Sequence, residues 1–288
     1  KYNDMFAERF SEYIGTPYGT TVTNGTLALH LALLALGVGE GDEVIVPSFT
    51  YIASANAVKY TGADVVFVDS LEDSWQMDPY DVEKKITKKT KAIMPVHLYG
   101  HPCDMDAIMS IAKKHDVFVV EDCAEAIGSE YNGKKVGSFG DIAAFSFFGN
   151  KTITCGEGGM VLTNNKTLFE RVVHIKGQGL ATHREYWHDI VGYNYRMTNI
   201  AAAIGLAQLE QIDKFVDRKM QIAALYTDKL SGLPVTVHKS VGNVKHTYWM
   251  VSISCQNIED RDSLRNYLKE NGIETRPTFY PIHTMPMY

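Results

Sequence analysis

The sequence lacks cysteine pairs, long apolar runs and an excess of positive charge. Its four cysteines, Cys103, Cys123, Cys155 and Cys255, form no C-x-x-C pair, so neither a zinc site nor a disulfide framework is expected. No apolar run reaches the roughly 20 residues that cross a bilayer, and residues 1–10 are mixed and charged. A cytoplasmic protein without a membrane partner is therefore expected. The net charge of -6 argues against binding nucleic acid, which requires clustered Lys and Arg.

Short β-rich runs alternate with helical patterns along most of the chain. The predicted strands cover residues 44–47, 65–69, 92–98, 118–122, 142–148 and 160–163, and helices are predicted at 26–36 and 105–115. This rhythm indicates an α/β fold with a mostly parallel sheet covered by helices. Residues 118–120 are all apolar, which is typical of a strand buried on both faces.

The chain is expected to form a large domain over residues 12–215 and a smaller C-terminal α+β domain over residues 216–288. A continuous helix over 199–230 would join them, and Gly232 and Pro234 would end it. Beyond it the pattern predicts a strand at 248–253 and a helix at 261–270. Because so little follows, the small domain is expected to be truncated, and residues 1–11 are expected to pack with it.

The stretch Thr23-Asn24-Gly25-Thr26 comes directly before a run of helical apolar spacing. Small residues at a helix start leave backbone N–H groups free, and the helix dipole favours an anion there. Gly25 permits close approach and Thr26 adds a hydroxyl, so a phosphate site is predicted. An ordinary N-cap is the alternative.

Asp122 ends the apolar strand 118–122, and ligands of open parallel sheets lie beyond the carboxyl ends of the strands. A carboxylate at that edge could pair with a cationic ring nitrogen, such as the one that makes pyridoxal phosphate an electron acceptor. A helix cap is the alternative for Asp122.

Lys151 lies on a loop between two predicted strands, within FSFFGNKTITCGEGG. A lysine there could point back over the sheet edge and form a Schiff base, which requires its neutral amine. Ser146 could bind a phosphate, and the nearby glycines leave room for a ligand, although their spacing is not that of a P-loop. The alternative is an ordinary solvated lysine.

Five motifs, FSFFGNK, GEGG, EDCAEAIG, TNGTLALHLAL and PSFTYIAS, closely resemble the DegT/DnrJ/EryC1/StrS sugar aminotransferase family. The resemblance runs through nearly the whole chain and implies a fold type I aminotransferase with pyridoxal 5'-phosphate. It implies that Lys151 holds the cofactor as a Schiff base and that Asp122 contacts the ring nitrogen. The remaining implied cofactor contacts are phosphate binding by Ser146, Gly25 and Thr26, ring stacking by Tyr51, and contacts from Ala124 and Glu125 at the opposite face or edge.

The segment GYNYRMTN is also similar to the family, in which an asparagine reaches the cofactor phosphate of the neighbouring subunit. Asn194 is the matching position, so a homodimer with shared active sites is implied. Arg276 and His283 lie in a segment similar to the one that approaches the substrate, and Lys176 and Arg184 are weaker candidates. A surface loop position is the alternative for Asn194 and a surface salt bridge is the alternative for Arg276, and no metal site is expected.

The resemblance implies transfer of an amino group from glutamate to a nucleotide-linked 4-keto-6-deoxy sugar, for surface polysaccharide biosynthesis. The segment around Lys151 is most similar to the branch that makes GDP-perosamine. A 3-keto sugar or a cyclitol ketone is an alternative acceptor. A sugar dehydratase is disfavoured, since that branch has histidine where this chain has Lys151. A non-catalytic, cofactor-binding regulatory protein is the alternative from another class.

Overall fold

The computed structural model describes residues 1–288. Its helices are α1 (Tyr2–Ile14), α2 (Gly25–Ala35), α3 (Ala53–Tyr60), α4 (Pro79–Lys85), α5 (Met105–His115), α6 (Lys166–Lys176), α7 (Asn199–Leu209), α8 (Ile212–Lys229) and α9 (Ile258–Glu270). Its strands are β1 (Tyr18–Val22), β2 (Glu43–Pro47), β3 (Asp64–Val68), β4 (Thr90–Ile93), β5 (Phe118–Asp122), β6 (Glu130–Tyr131), β7 (Lys134–Lys135), β8 (Ile142–Ser146), β9 (Gly159–Thr163), β10 (Val235–Val237), β11 (Val244–Lys245) and β12 (Ile253–Cys255). None of the helices combines the length and the apolar character that a bilayer crossing requires.

A seven-stranded sheet in the order β1-β9-β8-β5-β4-β2-β3 forms the centre of the molecule. In this sheet the five neighbouring strands β3, β2, β4, β5 and β8 pair in parallel. Strand β9 is antiparallel to both of its neighbours, β8 and β1. The prediction of a mostly parallel, helix-covered α/β sheet is confirmed. Parallel neighbouring strands need a crossover connection, which is usually a helix. Strands β8 and β9 are instead joined directly by the loop 147–158, which carries Lys151, so they pair antiparallel.

Both faces of the sheet are covered, which explains why its strands are apolar without alternation. Val120 packs in the core under α2, while its neighbour Val119 packs on the opposite face under α5. Helix α2 is buried on most sides, so the start of this helix is fixed firmly against the sheet. The rigid sheet edge and the start of α2 together frame the candidate site.

Residues 2–11 belong to α1 and pack on the main sheet, in a core cluster that also includes Val216 at the start of the predicted small domain, and the division into two domains stays a prediction. Phe6 and Phe10 are fully buried, and their rings pack on Phe147 at centroid distances of 4.9 and 5.1 Å. Helix α1 therefore covers β8 and β9 together with α7. Aromatic burial of this size is a large stabilising contribution, which explains why α1 adds to the core of the main sheet.

Three predicted elements differ in the structure. The predicted helix over 199–230 is two helices, which separate at Glu210 and Gln211. The predicted strand 92–98 ends at Ile93, and a short 3₁₀ turn follows at Leu98–Gly100. The predicted strand 248–253 is also wrong, because residues 247–249 pair with that turn and regular pairing begins only at β12.

A histidine cluster, formed by His101, His238 and His246, joins the C-terminal segment to the main sheet. The three ring centroids lie 5.7, 5.2 and 5.1 Å apart. His101 donates from Nδ1 to the carbonyl of Pro102 (2.7 Å) and accepts the N–H of Val241 at Nε2 (3.1 Å). One nitrogen of the His101 ring therefore carries a proton and the other does not, which is the neutral imidazole with its proton on Nδ1.

Candidate active site

The start of α2 brings backbone hydrogen-bond donors close to the hydroxyl of Ser146 at the end of β8. The side chain of Asn24 caps the helix by accepting the N–H of Leu27 at 2.9 Å. The N–H groups of Gly25 and Thr26 donate to no protein acceptor. A Cβ at Gly25 would lie 2.7 Å from the Cβ of Ser146, so only glycine lets the helix start this close to that hydroxyl. The free N–H groups, the hydroxyl and the helix dipole form a cradle for an anion.

Asp122 lies at the carboxyl end of β5 and is 4% exposed. Its carboxylate accepts hydrogen bonds from the Ser54 hydroxyl at 2.7 Å and from the N–H of Ala124 at 3.1 Å. Burial raises the pKa of Asp122, and Ser54, Ala124 and the charge of Lys151 offset only part of that rise. A cation at this edge of the sheet would therefore find a carboxylate that is short of positive partners.

Lys151 is directed into the protein from the loop between β8 and β9. Its side chain is 11% exposed, and its Nζ lies 3.5 Å from Oε1 of Glu125. The same nitrogen lies 4.0 Å from the centroid of the Trp249 ring. Trp249 in turn donates from its indole N–H to the carbonyl of Asn150 at 2.8 Å, which fixes the loop beside the lysine. The solvated-lysine alternative does not describe this side chain.

Glu125 links the lysine to the turn at Leu98–Gly100. Its Oε2 accepts the N–H of Tyr99 at 2.9 Å, while Oε1 faces Lys151. Burial raises the pKa of Glu125 to about 7, although the charge of Lys151 acts in the opposite direction. At neutral pH this carboxyl group can therefore either hold or release a proton.

An aromatic stack borders the site, and sequence reasoning missed most of it. The ring of Tyr99 lies nearly parallel to those of Trp249 and Phe279, at centroid distances of 6.1 and 5.4 Å. Tyr51 is 55% exposed, and its ring centroid lies 5.5 Å from that of Phe279. The exposure of Tyr51 fits a ring available to a ligand better than the core-packing alternative. No local pattern in the sequence identifies Trp249 as a neighbour of Lys151.

Two other predicted residues, Lys176 and Asn194, lie near β1 and the end of α6. Lys176 donates from Nζ to the carbonyl of Thr21 at 3.0 Å and to the hydroxyl of Thr20. Burial lowers the pKa of Lys176 to about 8. Asn194 is exposed, and its Oδ1 accepts from Nε of Arg196 at 3.3 Å. Lys176 is thus occupied by the protein backbone, while Asn194 faces outward.

The other predicted substrate residues lie in three different places. Arg184 stacks its guanidinium 4.4 Å from the ring centroid of Trp187. The side chain of Arg276 is 77% exposed and lies 3.6 Å from Glu274. Only His283 approaches the sheet edge, where its Nδ1 lies 2.6 Å from Oγ of Ser48, directly after β2. His283 is therefore the one that the structure brings to the same edge as Asp122.

A buried cluster of His97, Glu121 and Cys123 offers ligand atoms within 4.8 Å of one another. The Glu121 carboxylate, however, is already fully used. It accepts Nε2 of His97 at 3.1 Å and three backbone N–H groups at 2.7 Å each, from Gly137, Phe139 and Gly140. His97 also accepts the N–H of Cys103 at Nδ1, which leaves the proton on Nε2. The cluster is a hydrogen-bonded support beneath Asp122.

The fold is that of the fold type I aminotransferases. Spr1654 from Streptococcus pneumoniae, in its PLP form, matches with a TM-score of 0.95 and 30% identity, covering 100% of this chain and 80% of that one. The family model of the DegT/DnrJ/EryC1/StrS aminotransferase family matches residues 1–288, and the chain belongs to that family. The family and the fold class predicted from the motifs are thus confirmed.

Two relatives show how the similarity is graded. The chain is 65% identical over 287 residues to the GDP-perosamine synthase of Escherichia coli O157:H7, a match that covers 100% of this chain and 79% of that protein. It is 40% identical over 286 residues to the dTDP-3-amino-3,4,6-trideoxy-alpha-D-glucose transaminase of Streptomyces venezuelae, covering 98% of this chain and 74% of that protein. The identity is therefore much higher to the relative named for a GDP-linked sugar.

Proposed function

We propose that this protein transfers an amino group from glutamate to the C4 carbonyl of a GDP-linked 4-keto-6-deoxy sugar, with pyridoxal 5'-phosphate held by Lys151. The observation that carries the proposal is the place of Lys151, whose inward-facing amine lies beside Glu125 and close enough to Asp122 to affect its titration. The 65% identity to a GDP-perosamine synthase supports the GDP-linked acceptor.

The donors at the start of α2 fit the phosphate of this cofactor, because two N–H groups and the Ser146 hydroxyl have no other acceptor. Asp122 would hold the ring nitrogen in its protonated form through its carboxylate. When bound, pyridoxal phosphate supplies an aldehyde for amine exchange and a ring that withdraws electrons. Tyr51 is exposed at the same edge and would cover the ring.

Lys151 has two tasks in this proposal. Its Nζ would hold the cofactor by condensing with the aldehyde and releasing water, and the amine, once an amino donor had replaced it, would carry a proton to or from the carbon that bears the amino group. Glu125 and Asp122 keep this amine in a buried, charged environment that excludes most water. The same residues serve both halves of the reaction, because the second half reverses the first.

The test uses Lys151→Ala and Lys151→Arg beside wild type and a control, Lys166→Ala, whose lysine side chain is 71% exposed. Wild type and the control should be yellow, lose this absorbance with borohydride, and form more than one equivalent of 2-oxoglutarate from glutamate only with a keto sugar. Both Lys151 variants should lose turnover by at least about 10⁴-fold and keep their circular dichroism. Turnover near wild type in either variant would refute the role of Lys151.

GDP-linked, dTDP-linked and UDP-linked keto sugars should be compared as acceptors in the same assay. The proposal expects turnover with the GDP-linked 4-keto sugar. Preference for a dTDP-linked 3-keto sugar would instead favour the activity named for the Streptomyces venezuelae relative. Yellow protein without turnover on any acceptor would favour a binding protein.

A homodimer with shared sites is also part of the proposal. The segment around Asn194 exposes large apolar side chains, including Trp187 (47%), Val191 (89%) and Ile200 (78%). Apolar exposure of this kind is typical of a surface covered by a partner. If Asn194 serves the partner's site, mixing Lys151→Ala with Asn194→Ala should restore about a quarter of wild-type activity, since half of the dimers then hold one intact site. No recovery after mixing would place Asn194 in its own subunit's site or outside it.

A further inference from the structure

The nitrogen of Lys151 has two close partners that come from distant parts of the chain. Oε1 of Glu125 lies 3.5 Å away, and the centroid of the Trp249 ring lies 4.0 Å away. The Glu125 side chain is 5% exposed and Trp249 is 6% exposed. An anion and the face of an aromatic ring both favour a cation, and burial weakens competition from water. The pair thus forms a site for an ammonium group.

Both partners are fixed by the same short turn. Tyr99 donates its N–H to Oε2 of Glu125 at 2.9 Å, and its carbonyl accepts the N–H of Trp249 at 3.0 Å. Tyr99 has a φ of 56° and Gly100 a φ of 95°, a left-handed conformation that is unusual for tyrosine. A Cβ at Gly100 would lie 2.9 Å from the backbone nitrogen of Tyr248. The unusual backbone therefore allows one residue to hold Glu125 and Trp249 together.

Trp249 is also held from its other side. Its indole N–H donates to Asn150, the residue before Lys151, and its carbonyl accepts Nζ of Lys219 at 3.1 Å. Trp249 therefore connects α8, the turn at Tyr99 and the lysine loop. The two backbone contacts fix the main chain of Trp249, and the indole bond to Asn150 fixes the orientation of the ring, so its position relative to Nζ is set in advance.

We propose that Glu125 and Trp249 form a receiving site for the Lys151 ammonium, in which Trp249 positions the group and Glu125 accepts its proton. This inference rests on the proposed function of Lys151. Proton transfer breaks one N–H bond of the ammonium, leaves the electron pair on nitrogen, and forms one O–H bond on Oε1 of Glu125. A charged pair becomes a neutral amine and a neutral acid, and no other reactant is needed.

Burial raises the pKa of Glu125 to about 7, which brings the basicity of its carboxylate closer to that of an amine and lowers the cost of this transfer. In the proposed reaction the lysine must be cationic after it takes a proton and neutral before it attacks again. Because both forms of Glu125 are populated near pH 7, its carboxylate can accept that proton beside the nitrogen and release it afterwards.

The test measures the reactivity of the Lys151 amine in the full chain, after hydroxylamine has removed any bound aldehyde. The protein is labelled with acetic anhydride between pH 6 and 11, and the peptide that contains Lys151 is quantified by mass spectrometry. The pH of half-maximal labelling reports the protonation of the amine, and the plateau at high pH reports its accessibility. The variants are Glu125→Gln, Trp249→Leu and Trp249→Phe, with Glu130→Gln and the half-exposed Trp187→Phe as controls.

Glu125→Gln keeps an oxygen for the Tyr99 N–H but loses the anion, so labelling at pH 7 should rise about tenfold relative to its own plateau. Trp249→Leu should raise it about threefold to tenfold, which corresponds to about 0.7–1.4 kcal/mol of cation–π stabilisation. Trp249→Phe keeps a ring and should lie between wild type and Trp249→Leu. Both controls should match wild type.

The proposal is overturned if Glu125→Gln and Trp249→Leu give the half-maximal pH of wild type. In that case yellow wild-type enzyme with turnover would leave the proposed function standing. If labelling shifts in the variants but the wild-type protein is colourless and inactive, the receiving site is supported and the proposed aminotransferase function is refuted. The two ideas can therefore fail separately.

Discussion

Two neighbouring carboxylates at the end of β5 have opposite surroundings. Burial alone would raise the pKa of Glu121, but hydrogen bonds from His97 and the backbone outweigh burial and lower it. The pKa of Asp122 is raised by burial and only partly offset. Successive side chains of a strand point to opposite faces, so Glu121 meets a full set of donors while Asp122 meets the candidate site. Position along the chain thus says little about which acid is reactive.

The histidine cluster and the group of side chains around Lys151 differ in the same way. In the histidine cluster the backbone satisfies both nitrogens of His101, so the rings are neutral and hold two parts of the molecule together. Beside the lysine, Glu125 has one backbone donor and one ammonium, and its protonation is balanced near neutral pH. Fully paired groups stabilise the fold, and incompletely paired groups are available for chemistry.

The largest effect should come from breaking the satisfied carboxylate. Glu121→Ala leaves three backbone N–H groups and His97 without their acceptor, and we expect it to lower the free energy of unfolding by about 3–5 kcal/mol. Glu125→Gln keeps the acceptor for Tyr99 and should cost less than about 1 kcal/mol. Urea unfolding followed by circular dichroism measures both. Equal costs for the two variants would contradict the distinction between them.

The next effect should appear in acid, through the histidine cluster. Burial lowers the pKa of His101 to about 4, below the usual value of about 6.5 that the unfolded chain regains. The unfolded chain then binds a proton that the folded chain resists, so stability falls as the pH drops from 6.5 to 4 and is unaffected by His101 above that range. The shift corresponds to a loss on the order of 3 kcal/mol at pH 4.

His101→Gln removes this titrating group and should flatten that part of the stability profile, measured by urea unfolding at pH 7, 5.5 and 4.5. His183→Gln, at an exposed position, is the matched control and should keep the wild-type slope. A wild-type slope in His101→Gln would mean that other groups, such as His246 with its pKa of about 2, carry the acid response.

Sequence patterns were sufficient to predict the position of residues that lie next to the end of a strand or the start of a helix. Asp122 ends an apolar run, Gly25 precedes a helical one, and Lys151 lies in a loop next to glycines, so their placement at one sheet edge could be predicted. The structure brings these three together with Ser146 and Glu125. Their roles with a cofactor remain predictions.

Long-range partners could not be predicted in the same way. Trp249 reaches Lys151 only because residues 247–249 pair with an irregular turn, and periodicity indicated a strand there instead. The left-handed φ of Tyr99 has no signature in the sequence, since tertiary contacts impose it. Likewise, the break between α7 and α8 falls at Glu210 and Gln211, which are ordinary helix formers.

The smallest effect should sharpen the comparison at Asp122 itself. Ser54→Ala removes one donor to this carboxylate, a hydrogen bond of 2.7 Å, and should raise the pKa of Asp122 by roughly one unit, since such bonds contribute about 1.5 kcal/mol. Only the ionised acid can pair with a ring cation, so the loss of turnover towards low pH should begin about one unit higher than in wild type. Stability at pH 7 should change by no more than about 2 kcal/mol.

Two hydroxyl variants separate the effect on Asp122 from a general loss of packing. Ser54→Thr keeps the donor and should keep the wild-type pH profile, whereas Thr163→Val removes a buried hydroxyl that donates to the carbonyl of Asp141 instead, at 2.6 Å. If Ser54→Ala and Thr163→Val shift the profile equally, the acid limb does not report Asp122. If only Ser54→Ala shifts the profile, the incompletely paired Asp122 sets the pH dependence of turnover. Its fully paired neighbour Glu121 then contributes to the stability of the fold.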